Sequence, residues 1–159
     1  MTGSTDHQDD GIRELDATDL PEATRLYVRV FNAPPWNDQW TETTAGTRLR
    51  QTLQTPGALG LAIRDADRII GVAIGYEEQW YSGVHFSLKE LFVDPDRQGS
   101  GIGTRLMHRL VETLQSRGVE RIYLLTAHDT PAASFYGKLG FRRSRYTTLM
   151  KLDLPIQRR

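Results

Sequence analysis

Five consecutive residues near the middle of the chain, Gly99-Ser100-Gly101-Ile102-Gly103, have the composition of a phosphate cradle. They follow an apolar stretch that closes on Leu91-Phe92-Val93-Asp94-Pro95, and they open a run with helical apolar spacing. Glycines let successive backbone amides converge on one anion, and a helix N-terminus adds about half a positive charge. A strand, a glycine turn and a helix in that order can hold a pyrophosphate. Two common phosphate loops do not fit. A P-loop needs Lys and then Ser or Thr directly after its last glycine, and Gly103 is followed by Thr104-Arg105. A dinucleotide fingerprint needs Gly-x-Gly-x-x-Gly in the first βαβ unit. Here Thr104 or Leu106 replaces the third glycine, depending on register, and the run lies mid-chain. On glycine content alone, a turn that merely caps a helix explains the segment as well.

Other side chains able to do chemistry are few. The chain has no cysteine, which excludes disulfides, thiolate nucleophiles and Cys-ligated zinc. Ahead of the glycine run, His85, Lys89 and Glu90 are the polar candidates of one strand. Regular alternation puts His85 and Lys89 on one face and Glu90 on the other, unless a bulge intervenes. A histidine has a suitable intrinsic pKa for proton transfer, but a lone strand histidine is more often structural; for Glu90 a structural ion pair explains the carboxylate equally well. His108 falls within an amphipathic helix and His128 in a loop, and neither receives a role. Trp36, Trp40, Trp80 and Tyr81 could wall a pocket or attract a cation, with Asp38, Glu42, Glu77 and Glu78 to balance its charge; packing explains each aromatic equally well.

The elements that must position these groups are legible from period and punctuation. Residues 1–10 read as a disordered tail, and Ile12–Leu15 as a short strand. Asp19, with Glu22 three residues on, is a capping-box pattern for a helix with Leu20, Ala23, Leu26, Tyr27 and Val30 on one face. Residues 33–40, with two prolines and two tryptophans, form a stiff loop, and Thr41 caps a second helix that Pro56-Gly57 stops. Strands follow at 59–64, from 68 to about 80, and at 84–93, then a helix with Ile102, Leu106, Leu110, Val111 and Leu114 inward. Residues 121–126 read as a buried strand, Pro131 opens a short helix ending at Gly140, and two last strands are expected at 141–145 and 148–152. The sum is α/β: one mixed sheet with helices on its faces.

The chain has 159 residues, enough for one ordinary domain, and its 20 Lys+Arg balance 20 Asp+Glu. No net field argues for nucleic acid or an anionic membrane. The N-terminus has neither the basic start nor the apolar core of a secretory signal, and no stretch approaches the ~20 apolar residues of a membrane span. A cytoplasmic protein is the expectation.

Gln98, Gly101 and Gly103 complete the pattern Gln/Arg-x-x-Gly-x-Gly/Ala, and Phe135-Tyr136-x-Lys138-Leu139-Gly140-Phe141 follows one strand later. Two partly independent motifs in this order resemble the GNAT superfamily of acetyl-CoA-dependent N-acetyltransferases, over roughly residues 68–152. The resemblance implies a single domain over residues 11–159, with a central, strongly twisted mixed sheet. In it the strands at 84–93 and 121–126 are parallel neighbours that part at the glycine loop. It implies acetyl-CoA as co-substrate, without a metal, held by Leu91, Phe92 and Val93, by Gln98, Gly99, Ser100, Gly101, Ile102, Gly103 and Thr104, and by Asp129, Ala132, Phe135, Tyr136 and Lys138. Asp129 stands where many members carry Asn, so an amide donor is replaced by an acceptor. Tyr136 takes the place of the family's usual general acid, and Glu90 that of a carboxylate base. Trp36, Trp40, Glu77, Trp80, Tyr81 and His85 fall where an acceptor binds. Residues 34–37, Pro-Pro-Trp-Asn, resemble the corresponding loop of aminoglycoside 6′-N-acetyltransferase-like members. The implied activity is acetylation of a small-molecule primary amine. A protein or peptide acetyltransferase and a non-catalytic acyl-CoA sensor are the alternatives, and a homodimer stays open.

Overall fold

A computed structural model describes residues 10–156. The chain divides into two compact units, Met1–Leu125 and Thr126–Arg159. In the first, β1 (Ile12–Glu14), α1 (Leu20–Phe31) and α2 (Glu42–Gln54) lead into β2 (Ala58–Asp65), β3 (Arg68–Trp80) and β4 (Gly83–Val93), and α3 (Ile102–Ser116) and β5 (Val119–Tyr123) complete it. The five strands form one sheet in sequence order. Neighbours from β1 to β4 are antiparallel, and β5 lies parallel to β4. The parallel neighbours expected from the sequence are therefore present.

Helices cover both faces of the sheet, and their sequence spacing explains which face each one buries. Ala23, Leu26, Tyr27 and Val30 of α1 and Ala45 and Leu49 of α2 join Ala62, Val72, Ile74 and Phe92 in one core. On the opposite face, a Cβ at Gly71 would sit 2.9 Å from Leu106 and 3.2 Å from Ile102, which places α3 there. Ile102, Leu106, Leu110 and Leu114 are buried as the helical period requires, joined by Met107. Truncating such a fully buried leucine to Ala costs about 2–5 kcal/mol.

One irregularity decides the geometry of the site. The β3–β4 register passes from Ile74↔Glu90 to Gly75↔Leu88, so Lys89 is an extra residue, a β-bulge. Gly75 stands opposite, and no other residue fits: an added Cβ would lie 2.1 Å from the Ser87 carbonyl oxygen and 2.7 Å from the Phe86 ring.

Several local expectations are corrected. Asp19 does not cap α1. The backbone is already helical there (φ −81°, ψ −17°), because a 3-10 turn at Ala17–Asp19 precedes the helix. The capping box is Asp16 with Asp19, and Glu22 instead accepts from the Ile69 amide at 2.7 Å. β5 ends at Tyr123, three residues early, with Leu125 70% exposed. The strands expected at 141–145 and 148–152 are absent: Leu149, Met150, Leu152 and Leu154 are exposed, and alternation without a ladder partner does not sustain a strand. Of the expected tail, residues 1–9 lie outside the described residues, while Asp10 is anchored by Arg109 at 2.5 Å.

In the second unit, α4 (Pro131–Lys138) is capped by Thr130, whose hydroxyl accepts from the Ala133 amide at 3.2 Å.

Candidate active site

β4 and β5 pair only from Val84↔Val119 to Ser87↔Tyr123. β5 ends there, and β4 continues alone on that side through Leu88–Val93. Leu91, Phe92 and Val93 lie in this stretch, where β4 backbone groups on the β5 side have no strand to bond. The bulge at Lys89 determines what faces where. Register pairing puts His85, Ser87, Glu90 and Phe92 together with Tyr76 and Glu78 on the α1–α2 face. Without the bulge, His85 and Glu90 would point to opposite faces.

The glycine loop leaves the end of β4. Gly99 (φ +81°) and Gly101 (φ +84°) are left-handed, and an added Cβ on either would meet nothing within 4 Å. Space in front of the backbone is therefore open, as a bulky anion needs. Gly101 is the N-cap of α3 and offers no side-chain cap, so the first-turn amides at Ile102, Gly103 and Thr104 are not satisfied by a capping side chain. Uncapped amides, open space and a helix N-terminus fit a pyrophosphate. Gln98 turns back and donates to the Val93 carbonyl at 3.2 Å. A cleft of about 380 Å³ beside the loop is lined in part by Arg97, Ser100, Ile102 and Arg105.

The loop is rooted in Asp94, whose side chain is 1% exposed. Its carboxylate accepts from Arg29 at 2.5 Å, from Arg68 at 3.0 Å and from the Asp96 amide at 2.9 Å. These bonds tie α1, β3 and the start of the loop to one buried group. Sequence reasoning used Asp94 only as a strand terminator.

On the α1–α2 face the polar and aromatic candidates separate into two groups. In the first, Glu90 (8% exposed) is ion-paired with Arg48 and accepts from the Tyr27 hydroxyl at 3.3 Å. Burial pushes the Glu90 carboxyl above the ordinary carboxylate range, and the Arg48 charge opposes that rise. Burial and the Glu90 charge push the Tyr27 hydroxyl well up. Trp40 belongs here, edge-on to Tyr27 at 5.1 Å and under the Arg48 guanidinium at 5.8 Å. Trp36 packs on Phe31 at 5.8 Å. In the second group, Trp80 stacks on the buried His85 at 5.3 Å, and the Tyr123 hydroxyl donates to Glu78 at 2.6 Å. Tyr81 is fully exposed at the β3–β4 turn. Glu77 lies on the other face, opposite Phe86, and reaches Arg117 at 3.8 Å.

The second unit holds the remaining candidates. Phe135, Tyr136 and Phe141 form an edge-on aromatic set at 5.3 and 5.5 Å. Gly140 (φ +96°) lets the chain reverse, so that the Phe141 amide bonds the Tyr136 carbonyl at 3.1 Å. Asp129 is left-handed (φ +55°) and pairs with Arg143 at 3.0 Å. Asp and Asn are the non-glycine residues that best tolerate that conformation. Ala132 and Lys138 lie on α4. Among the described residues no group of His, Asp and Glu is placed to hold a metal ion, and no helix is long and apolar enough to cross a membrane.

A mixed sheet in which β5 lies parallel to β4, with a glycine loop leaving the end of β4, is the architecture that the resemblance to an acyl-CoA-dependent transferase implies. Residues 17–141 match the Acetyltransferase (GNAT) family, and the chain belongs to that family. It is 29% identical over 143 residues to the [Ribosomal protein bS18]-alanine N-acetyltransferase of Escherichia coli (strain K12), covering 86% of this chain and 87% of that one. It is 31% identical over 127 residues to the mycothiol acetyltransferase of Clavibacter sepedonicus, covering 79% of this chain but 40% of that longer relative. Its fold is similar to that of an aminoglycoside acetyltransferase from an uncultured soil metagenomic sample, with a TM-score of 0.70 at 21% identity over 91% of this chain and 95% of the other. The protein is an acetyl-CoA-dependent N-acetyltransferase.

Proposed function

We propose that the chain acetylates a primary amine of a small molecule, with Tyr136 as general acid and Glu90 as general base. The observation that carries this reading is the bulge at Lys89, which turns Glu90 onto the α1–α2 face, the face of His85 and Glu78. Acetyl-CoA, held by the amides of residues 98–104 and by residues 91–93 of β4, supplies an acyl group activated as a thioester. The acceptor arrives as an ammonium, with a pKa of about 10, and must lose a proton to become a nucleophile. Glu90 takes that proton, and its raised affinity for protons suits the task. As the new N–C bond forms and the C–S bond breaks, Tyr136 gives its hydroxyl proton to the departing sulfur, and the proton that the nitrogen sheds to become a neutral amide restores the phenol. A phenol of pKa about 10 is adequate for a thiolate of pKa near 8.5.

A protein N-terminal acceptor is the second reading. It is favoured by the nearly full-length similarity to the alanine N-acetyltransferase acting on ribosomal protein bS18. Release of free thiol from acetyl-CoA, measured with small amines and with peptides beginning in alanine, separates the two. Turnover with small amines supports the proposal, and turnover with peptides alone overturns it. Tight acetyl-CoA binding without turnover on any acceptor favours a sensor.

A further inference from the structure

Three carboxylates near the outer end of the sheet differ in what answers their charge. Glu90 is ion-paired with Arg48, and Glu77 reaches Arg117. Glu78 has no cationic partner among the described residues; its Oε2 accepts from the Tyr123 hydroxyl at 2.6 Å. That bond fixes the carboxylate without neutralising it. Burial, followed by the bond to Glu78, makes the Tyr123 proton harder to remove, so the hydroxyl stays a donor. Tyr123 is the last residue of β5, paired in register with Ser87 of β4.

The surroundings suit a cation. Glu78 shares its face of β3 with Trp80, two residues on, and pairs in register with His85 of β4. Trp80 stacks on His85 at 23° between ring planes, and is 47% exposed, so the wall is held in place while part of it stays open. A carboxylate oriented by a phenol, next to an open indole, binds an ammonium by charge-assisted hydrogen bonds and by attraction to the ring. Glu90, paired in register with Ile74, lies four positions along β3 from Glu78, roughly 13 Å at the rise of a strand. The near amine reacts beside Glu90, whose charge Arg48 answers, and Glu78, at that distance on the same face, is the carboxylate left to take a far positive charge.

We infer that Glu78 is a specificity-determining residue that binds a second ammonium of the acceptor, and that the acceptor is a di- or polyamine. This rests on the small-molecule amine reading above. In the reaction Glu78 exchanges no proton. It holds the far charge while the near amine reacts.

The test compares α,ω-diamines of increasing chain length with monoamines of matched length, as kcat/KM for thiol release from acetyl-CoA. The wild-type protein is expected to favour long diamines over monoamines by about 10-fold or more, the scale of one charged hydrogen bond. Glu78→Gln is expected to abolish that preference through the diamine KM, leaving monoamine turnover and the acetyl-CoA KM within about twofold. Tyr123→Phe, which keeps the carboxylate but frees it, is expected to lose part of the preference. Monoamine turnover reports whether either variant still folds, and if Glu78→Gln fails that control, Tyr123→Phe carries the test. No preference in the wild type, or a preference that survives in the folded variants, overturns the inference while leaving the acetyltransferase reading intact. Absence of turnover with every small amine removes the acceptor reading itself, and this inference with it.

Discussion

The loop proposed to receive acetyl-CoA and the face proposed to receive the amine are built from different parts of the polypeptide. The loop is backbone: left-handed Gly99 and Gly101, first-turn amides of α3, and open space where side chains would be. The face is side chain: Glu90 with Arg48 and Tyr27, then Glu78 with Tyr123, and Trp80 on His85. Backbone recognition depends on one contiguous segment. Side-chain recognition here depends on residues up to 63 apart in sequence, as in Tyr27 with Glu90. The difference teaches where each half of the site is vulnerable: the loop to added atoms and lost anchors, the face to lost charges.

The largest effect is expected from Tyr136→Phe, which removes one hydroxyl and keeps a ring packed between Phe135 and Phe141. Turnover should fall by roughly 10²–10⁴-fold with a confirmed acceptor, while acetyl-CoA affinity measured by calorimetry stays within about twofold. Loss of folding instead would reduce Tyr136 to a packing residue.

Asp94→Asn tests whether the loop depends on its anchor. The change keeps shape, removes the charge that answers Arg29 and Arg68, and sets an amide donor against a guanidinium. The arginines left unpaired are about half exposed, so the cost should fall below the about 3–5 kcal/mol of a fully buried pair, to be read from urea unfolding. An unchanged unfolding midpoint would show that the two arginines, both partly exposed, find water instead.

Gly101→Val places a branched Cβ in the open space before the backbone and forces a left-handed β-branched residue. Acetyl-CoA affinity should drop by about an order of magnitude or more. Gly101→Ala separates the causes, since it shares most of the conformational cost and adds less bulk. Equal losses in both variants would assign the effect to strain rather than to blocked access.

What could be read from sequence follows the same division. The glycine loop was legible because Gln98, Gly101 and Gly103 are spaced in one short segment, and the conformations they permit are local. Helix faces were legible because α1 and α3 keep a 3.6-residue period. The side-chain face was not, for a definite reason: an extra residue in a strand flips every later side chain to the other face. The bulge at Lys89 joins Glu90 to His85, and register alone separates Glu78 from its neighbour Glu77. The signal available was Gly75, whose missing side chain makes room for the Ser87 carbonyl and the Phe86 ring, but a lone strand glycine does not say which partner residue bulges. Residues 148–152 failed in the other direction, with a strand-like pattern and no strand.

The smallest effect concerns pH. The two halves should respond to it differently, because the loop titrates nothing and the face does. Glu90 is raised above its unfolded carboxyl pKa, first by burial and with Arg48 opposing. Between the unfolded value, about 4.3, and the folded one, the native state therefore holds more protons than the unfolded state. Stability from this group falls as pH rises through that window and stays lower above it. Asp16, exposed and lowered by hydrogen bonds from Thr18, has the opposite sign, its contribution being lost as pH falls through its folded pKa. Urea unfolding of the wild type and of Glu90→Gln, followed from about pH 4 to pH 7, isolates the buried group, because Asp16 is common to both. The variant should gain stability relative to the wild type as pH rises, with Gly101→Ala running parallel to the wild type throughout. A difference curve of opposite slope would mean that the Arg48 charge outweighs burial at Glu90, and would assign that carboxylate to holding α2 against the sheet rather than to accepting a proton.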